Sequence, residues 1–172
     1  MTWKSRIAEL FAEQEIDENF TEAKTQLSRL KNKITNVSVI IDNKQSNLVF
    51  IKNKWQVMPQ DMGTNIRFIA LQTEENYNLV LCDLNETSSI FNHSHTKNYE
   101  VIRVIDGAVN LTYNGKTTTL TTGDEIKMDF NKDHSIEGIS EARILIAYSP
   151  KKKNAVIYNE SILLAEKFEK KI

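Results

Sequence analysis

The stretch that decides the reading is Ser88-Ser-Ile-Phe-Asn-His93-Ser-His95-Thr-Lys-Asn-Tyr-Glu100-Val-Ile-Arg-Val-Ile105, followed later by Gly123-Asp-Glu-Ile-Lys-Met-Asp-Phe-Asn-Lys-Asp-His134. Its apolar residues alternate with polar ones at a period of two, which is the pattern of β-strands with one buried face. His93 and His95 are two apart, so on a strand both imidazoles point the same way. Glu100 opens the next strand, and antiparallel pairing can bring His134 opposite the first two. These are the chain's three histidines. Three neutral imidazole nitrogens and one carboxylate suit a borderline divalent metal such as Fe, Mn, Ni or Zn. Four protein ligands leave open positions only if the metal takes five or six, which is the condition for chemistry at the metal.

Working outward, short strands are expected at 37–41, 48–51, 64–72, 77–84, 88–95, 99–105, 108–113, 116–121, 124–130, 134–137 and 143–148. Turn signals separate them: Asp106-Gly107, Asn114-Gly115 and Thr122-Gly123. Many strands with no helix between them argue a β-sandwich or barrel. Gly and Pro are scarce, five and two residues. Asn therefore takes many of the turns, being the next most tolerant of left-handed backbone.

Both ends read differently. Residues 1–34 lack Gly and Pro, and Trp3, Ile7, Leu10, Phe11, Phe20, Ala23, Leu27, Leu30 and Ile34 fall at helical spacing, so two amphipathic helices are expected there. A helix-turn-helix DNA reader is set aside, because the segment holds too few helices and too little basic charge. After Pro150 come Lys151 to Lys153, read as a solvated loop, then an apolar strand at 155–158 and an amphipathic helix from about Ser161. The expected organisation is a helical extension at 1–34, a β-domain at 35–150 and a tail with a short helix at 151–172.

Composition bounds the function. The 172 residues fit one domain at about 150 residues each, and 40% hydrophobic with 26% charged residues is globular usage. Twenty-two basic and twenty-three acidic side chains leave a net charge of −1, which gives no footprint for nucleic acid or anionic membrane. Charges interrupt the first ten residues, so a secretory signal is not expected. A single cysteine, Cys82, cannot form an internal disulfide, and a cytoplasmic setting is expected.

At these residues the chain also resembles the cupin superfamily. His93-x-His95-x4-Glu100, then six residues to Gly107, is similar to the first cupin motif, and Gly123-x10-His134 is similar to the second. The resemblance covers roughly residues 65–150. It implies a mainly β fold, a cupin-type antiparallel, jelly-roll-like barrel, with one metal ligated by His93, His95, Glu100 and His134. Two departures stand out: Asp129 and Asn131 replace the usual Pro and Gly, and Gly138 replaces the usual Asn. Neither removes a ligand.

Cupins serve many functions, so the pocket must choose. Strand parity sends Ser89 and Phe91 inward with His93, Ile102 and Val104 inward with Glu100, and Met128 and Tyr148 inward on their own strands. The expected lining is mostly apolar and fits a small, partly hydrophobic ligand. Arg67, Phe91 and Met128 are candidate substrate contacts, and Tyr148 is the candidate catalytic side chain, since the three histidines are spent on the metal. Arg103 and Arg143 are expected on the outer face, paired with acids. The expected activity is metal-dependent: a dioxygenase first, an isomerase, epimerase or lyase second. The alternative is a non-catalytic module that binds or senses a small molecule. Homodimerisation is expected through the N-terminal helices and outward Val101 and Ile105.

Overall fold

The computed structural model describes residues 33–150 and 155–169. The two expected N-terminal helices and the lysine run at 151–153 lie outside the described residues. In chain order the elements are β1 (Ile34–Ile41), β2 (Lys44–Ile51), β3 (Trp55–Val57), β4 (Gly63–Thr64), β5 (Arg67–Glu74), β6 (Tyr77–Leu84) and β7 (Ser89–His93). Then follow β8 (Asn98–Asp106), β9 (Ala108–Tyr113), β10 (Lys116–Thr121), β11 (Glu125–Met128), β12 (His134–Gly138), β13 (Ala142–Pro150) and a short helix, α1 (Asn159–Lys167).

The protein is mainly β. A six-stranded sheet runs β11-β8-β13-β6-β5-β3 and a five-stranded sheet runs β10-β9-β12-β7-β4, with β1 and β2 as a separate hairpin. All strand pairs are antiparallel. The hairpin turn at Asp42 and Asn43 has both residues at positive φ, 50° and 62°, the geometry whose twist matches the flanking strands. Asn114 and Gly115 repeat it at 50° and 82°. Asn thus carries the left-handed turns that Gly scarcity left open.

One core lies between the layers. Ile102, Ile144 and Ile146 from the six-stranded sheet meet Leu111 and Ile136 from the five-stranded sheet, and Val39 and Phe50 of the hairpin join them. The six-stranded sheet also has a second buried face, where Leu81, Val101 and Leu145 are covered by Ala155, Ile157 and Ala165 of the C-terminal segment. Burial on both faces explains why β6 and β13 read as nearly continuous apolar runs. The five-stranded sheet is wetter outside: β9 alternates, and Asn110 accepts from Thr119 across to β10.

Several expectations change here. Residues 155–158 are extended without being a strand, because they lie over a sheet face rather than beside an edge. Strand β3, with three residues, escaped the sequence pattern. Val101 and Ile105 do point away from the inner core, as parity requires. They are only 3% and 8% exposed, because the C-terminal segment covers them, so they offer no surface for a second chain.

Arg143 fastens that cover. Its guanidinium makes a two-pronged bond to Asp83, Nε to Oδ1 at 2.7 Å and Nη2 to Oδ2 at 2.9 Å, and donates to the carbonyls of Ala165, at 2.9 Å, and Phe168. Ala165 lies in the last turn of α1, where its carbonyl also accepts from the Phe168 N–H at 3.3 Å, and Phe168 is the residue that caps the helix. Both members of the ion pair are buried, so removing one strands the other's charge. Arg143→Met should therefore lower unfolding free energy by about 3 kcal/mol in urea titrations, with folded-state metal content unchanged because the pair lies on the face away from the inner core.

Candidate metal centre

His93, His95, Glu100 and His134 converge between the two sheets, all four are buried, and their ligand atoms lie within 4.8 Å of one another. β7 and β12 of the five-stranded sheet supply His93 and His134, which are direct partners in the register. His95 follows β7, where Ser94 bridges to Ile40 of the hairpin. Glu100 comes from the opposite layer. It sits on β8 with Met128 beside it on β11 and Tyr148 on β13, so its backbone is held on both sides.

The proton inventory decides what this cluster can do. The Nδ1 of His93 lies 2.6 Å from the Phe91 carbonyl, that of His95 2.8 Å from the Ser38 carbonyl, and that of His134 3.1 Å from the Lys132 carbonyl. A carbonyl only accepts, so each Nδ1 carries the proton and each neutral ring presents a bare Nε2. Glu100 Oε2 nevertheless stands 2.7 Å from Nε2 of His134 and 3.1 Å from Nε2 of His95. These three atoms are buried and take no hydrogen bond. Lone pairs that close, out of water, are satisfied by a proton shared between a ring and the carboxylate or by a metal ion among them. The donor set, three imidazole nitrogens and one carboxylate oxygen, suits a divalent transition metal, and the carbonyls that orient the rings are the supports such ligands need.

The electrostatics of the four residues by themselves differ from ring to ring. Burial, with His134 and His95 close by, lowers the pKa of His93 to about 3, so its ring stays neutral. Burial alone would raise the Glu100 carboxyl, but the two histidines outweigh it and hold it well below its ordinary value. Burial likewise works against a charge on His134, and its contact with Glu100 wins, raising it.

The turn before His134 shows how the chain manages without the expected Pro and Gly. Asn131 adopts φ of 61°, the left-handed conformation that Gly would take, and its N–H donates to the His95 carbonyl at 2.7 Å. It ties the two histidine-bearing segments together. Gly138 is required for another reason: a Cβ there would lie 1.9 Å from the Asn85 carbonyl oxygen.

Of the other candidate residues, Tyr148 lies at the site. It lines the cavity beside the cluster, its ring is 5.4 Å from that of His95, and its ring stacks on Phe50 at 5.6 Å. Burial and the neighbouring Glu100 raise its phenol well above the ordinary value, so it keeps its proton and acts as a donor. Three expectations are corrected. Phe91 is 37% exposed, because β7 steps three residues from Ile90 to His93 while β12 steps two from Ile136 to His134. That bulge reverses parity and turns Ile90 inward instead. Arg67 is exposed at the start of β5, where the next residue, Phe68, faces the cavity. Met128 is buried next to Glu100 but packs in the core rather than on the cavity wall.

Sequence reasoning missed the hairpin's part. Val39, Leu48 and Phe50 line the cavity, and Ser38 orients His95. The alternation of Val37, Val39 and Ile41 signalled a one-faced strand, but which layer it would cover is not a local property. The cavity is small, about 20 Å³, where a single water needs roughly 10–15 Å³.

Glu100→Gln keeps the shape and removes the charge. It should weaken divalent-metal binding at least tenfold, the lower end of the change for a lost or weakened support. The metal-free protein should melt within a few degrees of wild type. Dialysis followed by elemental analysis, with calorimetry of the metal-free form, checks both.

Residues 80–148 match the family model of the cupin domain. No curated protein sequence matches the chain significantly. Among solved structures, KdgF from Halomonas sp. aligns with a TM-score of 0.52 at 17% identity, over 59% of this chain and 94% of that one. The Cnp3 cupin domain from Schizosaccharomyces pombe aligns with a TM-score of 0.50 at 13% identity, over 70% and 89%. Identities this low speak for the fold alone. The matched segment runs from β6 to β13 and contains all four cluster residues, so this part of the chain is similar to the cupin domain in both sequence pattern and fold.

Proposed function

We propose that this protein is a metal-dependent enzyme acting on a small organic ligand at the His93, His95, Glu100 and His134 centre, with dioxygenase chemistry ahead of Lewis-acid isomerase, epimerase or lyase chemistry. The observation that carries this reading is the donor set: the Nε2 atoms of His95 and His134 and a Glu100 oxygen are buried together with His93 beside them, and the Nδ1 of every ring faces a main-chain carbonyl. A bound divalent metal would supply Lewis acidity and, if redox-active, electron transfer to dioxygen. With a single carboxylate among the ligands, the centre would keep a net charge of +1 and attract an anionic or strongly dipolar oxygen group.

The chain's own residues constrain the chemistry around it. The histidines hold their Nδ1 protons on carbonyls and are not available as bases. Glu100 is held as the anion. Tyr148 keeps its phenolic proton on Glu100, and with no histidine free to shuttle protons the site favours redox or polarisation chemistry. The apolar wall excludes water from the reacting group and strengthens every charge interaction inside.

Purified protein reloaded anaerobically should hold about one divalent metal per chain, as the single donor set implies. Small oxygenated acids should then be turned over by the Fe(II) form with consumption of dioxygen, and not by the Zn(II) form. Equal turnover by the zinc form under nitrogen would replace the dioxygenase reading with the Lewis-acid one. Absence of metal after loading would overturn both.

A further inference from the structure

Among the described residues, strand β10 ends the five-stranded sheet. The other strands at the margins of the two main sheets are shorter: β4 has two residues, β3 three and β11 four, against six in β10. The register of β10 with β9 runs without a shift from Lys116 to Thr121. Its middle residues Thr117, Thr118 and Thr119 are uncharged and exposed. Short length, bulges, prolines and charges in mid-strand are the devices that keep sheet edges apart. β10 has none of them, and threonine suits pleated backbone.

The main-chain groups that face outward follow from the hairpin. Asn114 and Gly115 form a two-residue turn, so Tyr113 and Lys116 exchange hydrogen bonds. Alternation then bonds Thr118 to Leu111 and Leu120 to Val109, and it turns the N–H and C=O of Thr117, Thr119 and Thr121 away from β9. Thr121 confirms this: its N–H donates to Asp124 Oδ2 at 2.8 Å, and its carbonyl accepts from the Asp124 N–H at 2.9 Å. Asp124 therefore closes one end of the edge. Among the described residues, no main-chain bond reaches Thr117 or Thr119 from that side. Their hydroxyls are engaged with β9, at Thr112 and Asn110.

Two such residues, one position apart from Thr118 on either side, are self-complementary. A second copy laid antiparallel with its Thr118 facing this one lets Thr117 of each chain exchange both bonds with Thr119 of the other. The same arrangement sets Lys116 beside the end that Asp124 closes, so unlike charges meet, whereas a parallel arrangement would bring like charges together. We propose that β10 is a self-association edge, at which two copies of this chain pair about Thr118 and join their five-stranded sheets into one. The contact is independent of the metal centre, since β9 lies between β10 and the strand that carries His134. It also differs from the outer face of Val101 and Ile105, which the C-terminal segment covers.

Sedimentation velocity of the full chain, from micromolar to near-millimolar concentration, should show a reversible monomer–dimer equilibrium. Thr119→Pro leaves the β9 ladder intact, because that N–H points outward. It removes a donor from each copy and should weaken association at least tenfold. Thr118→Lys sets like charges face to face and should weaken it several-fold, and this exchange at an exposed side chain carries the test if the proline disturbs the strand. Thr118→Cys should cross-link on mild oxidation, because facing residues of a non-bonded antiparallel pair lie about 4.5 Å apart at Cα, within disulfide reach. Thr121→Cys, which faces a different position, should not, and the native Cys82 is buried. A chain that stays monomeric throughout, a dimer that Thr118→Lys leaves as tight, or a dimer in which Thr118→Cys forms no cross-link overturns the proposal.

Discussion

Each of the three imidazoles places its Nδ1 proton on a main-chain carbonyl, and the arrangement of the site follows from those bonds. They fix the tautomer, and the tautomer turns three lone pairs inward toward one carboxylate. The carbonyls come from different places: Phe91 beside the bulge of β7, Ser38 on the hairpin, and Lys132 in the turn before β12. The rings are thus aligned only when the hairpin is packed against β7 and the turn at Asn131 has closed onto His95. A local change at any of these backbones would rotate a ring without touching a ligand.

The opposite wall depends on a different constraint. Glu100 is the only member of the cluster from the six-stranded sheet, and that sheet is buried on both faces. Residues of one parity on β13, namely Ile144, Ile146 and Tyr148, face the site, and those of the other parity face the C-terminal segment. Stability and chemistry are therefore divided between two sides of the same strands. The Arg143–Asp83 pair belongs wholly to the outer side. On the inner side, among the described residues, no such charge lines the cavity outside the cluster, so electrostatic work there falls to the cluster and a phenol. An apolar wall around one polar point gives a strong local field and little recognition elsewhere.

Much of this was legible in the residues. Alternation marked most strands, the Asn-Gly and Asp-Gly pairs marked turns, and His93, His95, Glu100 and His134 stood out because imidazole and carboxylate at strand spacing serve few purposes. The inward set on β8 and β13 followed from parity alone, as did the outward Arg143. Where parity failed, a bulge was the cause: one extra residue in β7 carried Phe91 to the surface and Ile90 to the core. A bulge comes from the pairing of two strands, and nothing within residues 88–95 announces it.

What the sequence determined by itself was the set of strands, their turns and the chemical identity of the cluster, because these depend on backbone preferences and side-chain types over a few residues. Only the tertiary structure decided which groups surround it. Arg67 is outside and Phe50 inside. Ser38, 57 residues before its histidine partner, supplies an acceptor. Val101 and Ile105 are sealed by the chain's own end. Each of these outcomes is set by contacts between segments distant along the chain, and such contacts are chosen by the packing of whole layers rather than by local residues.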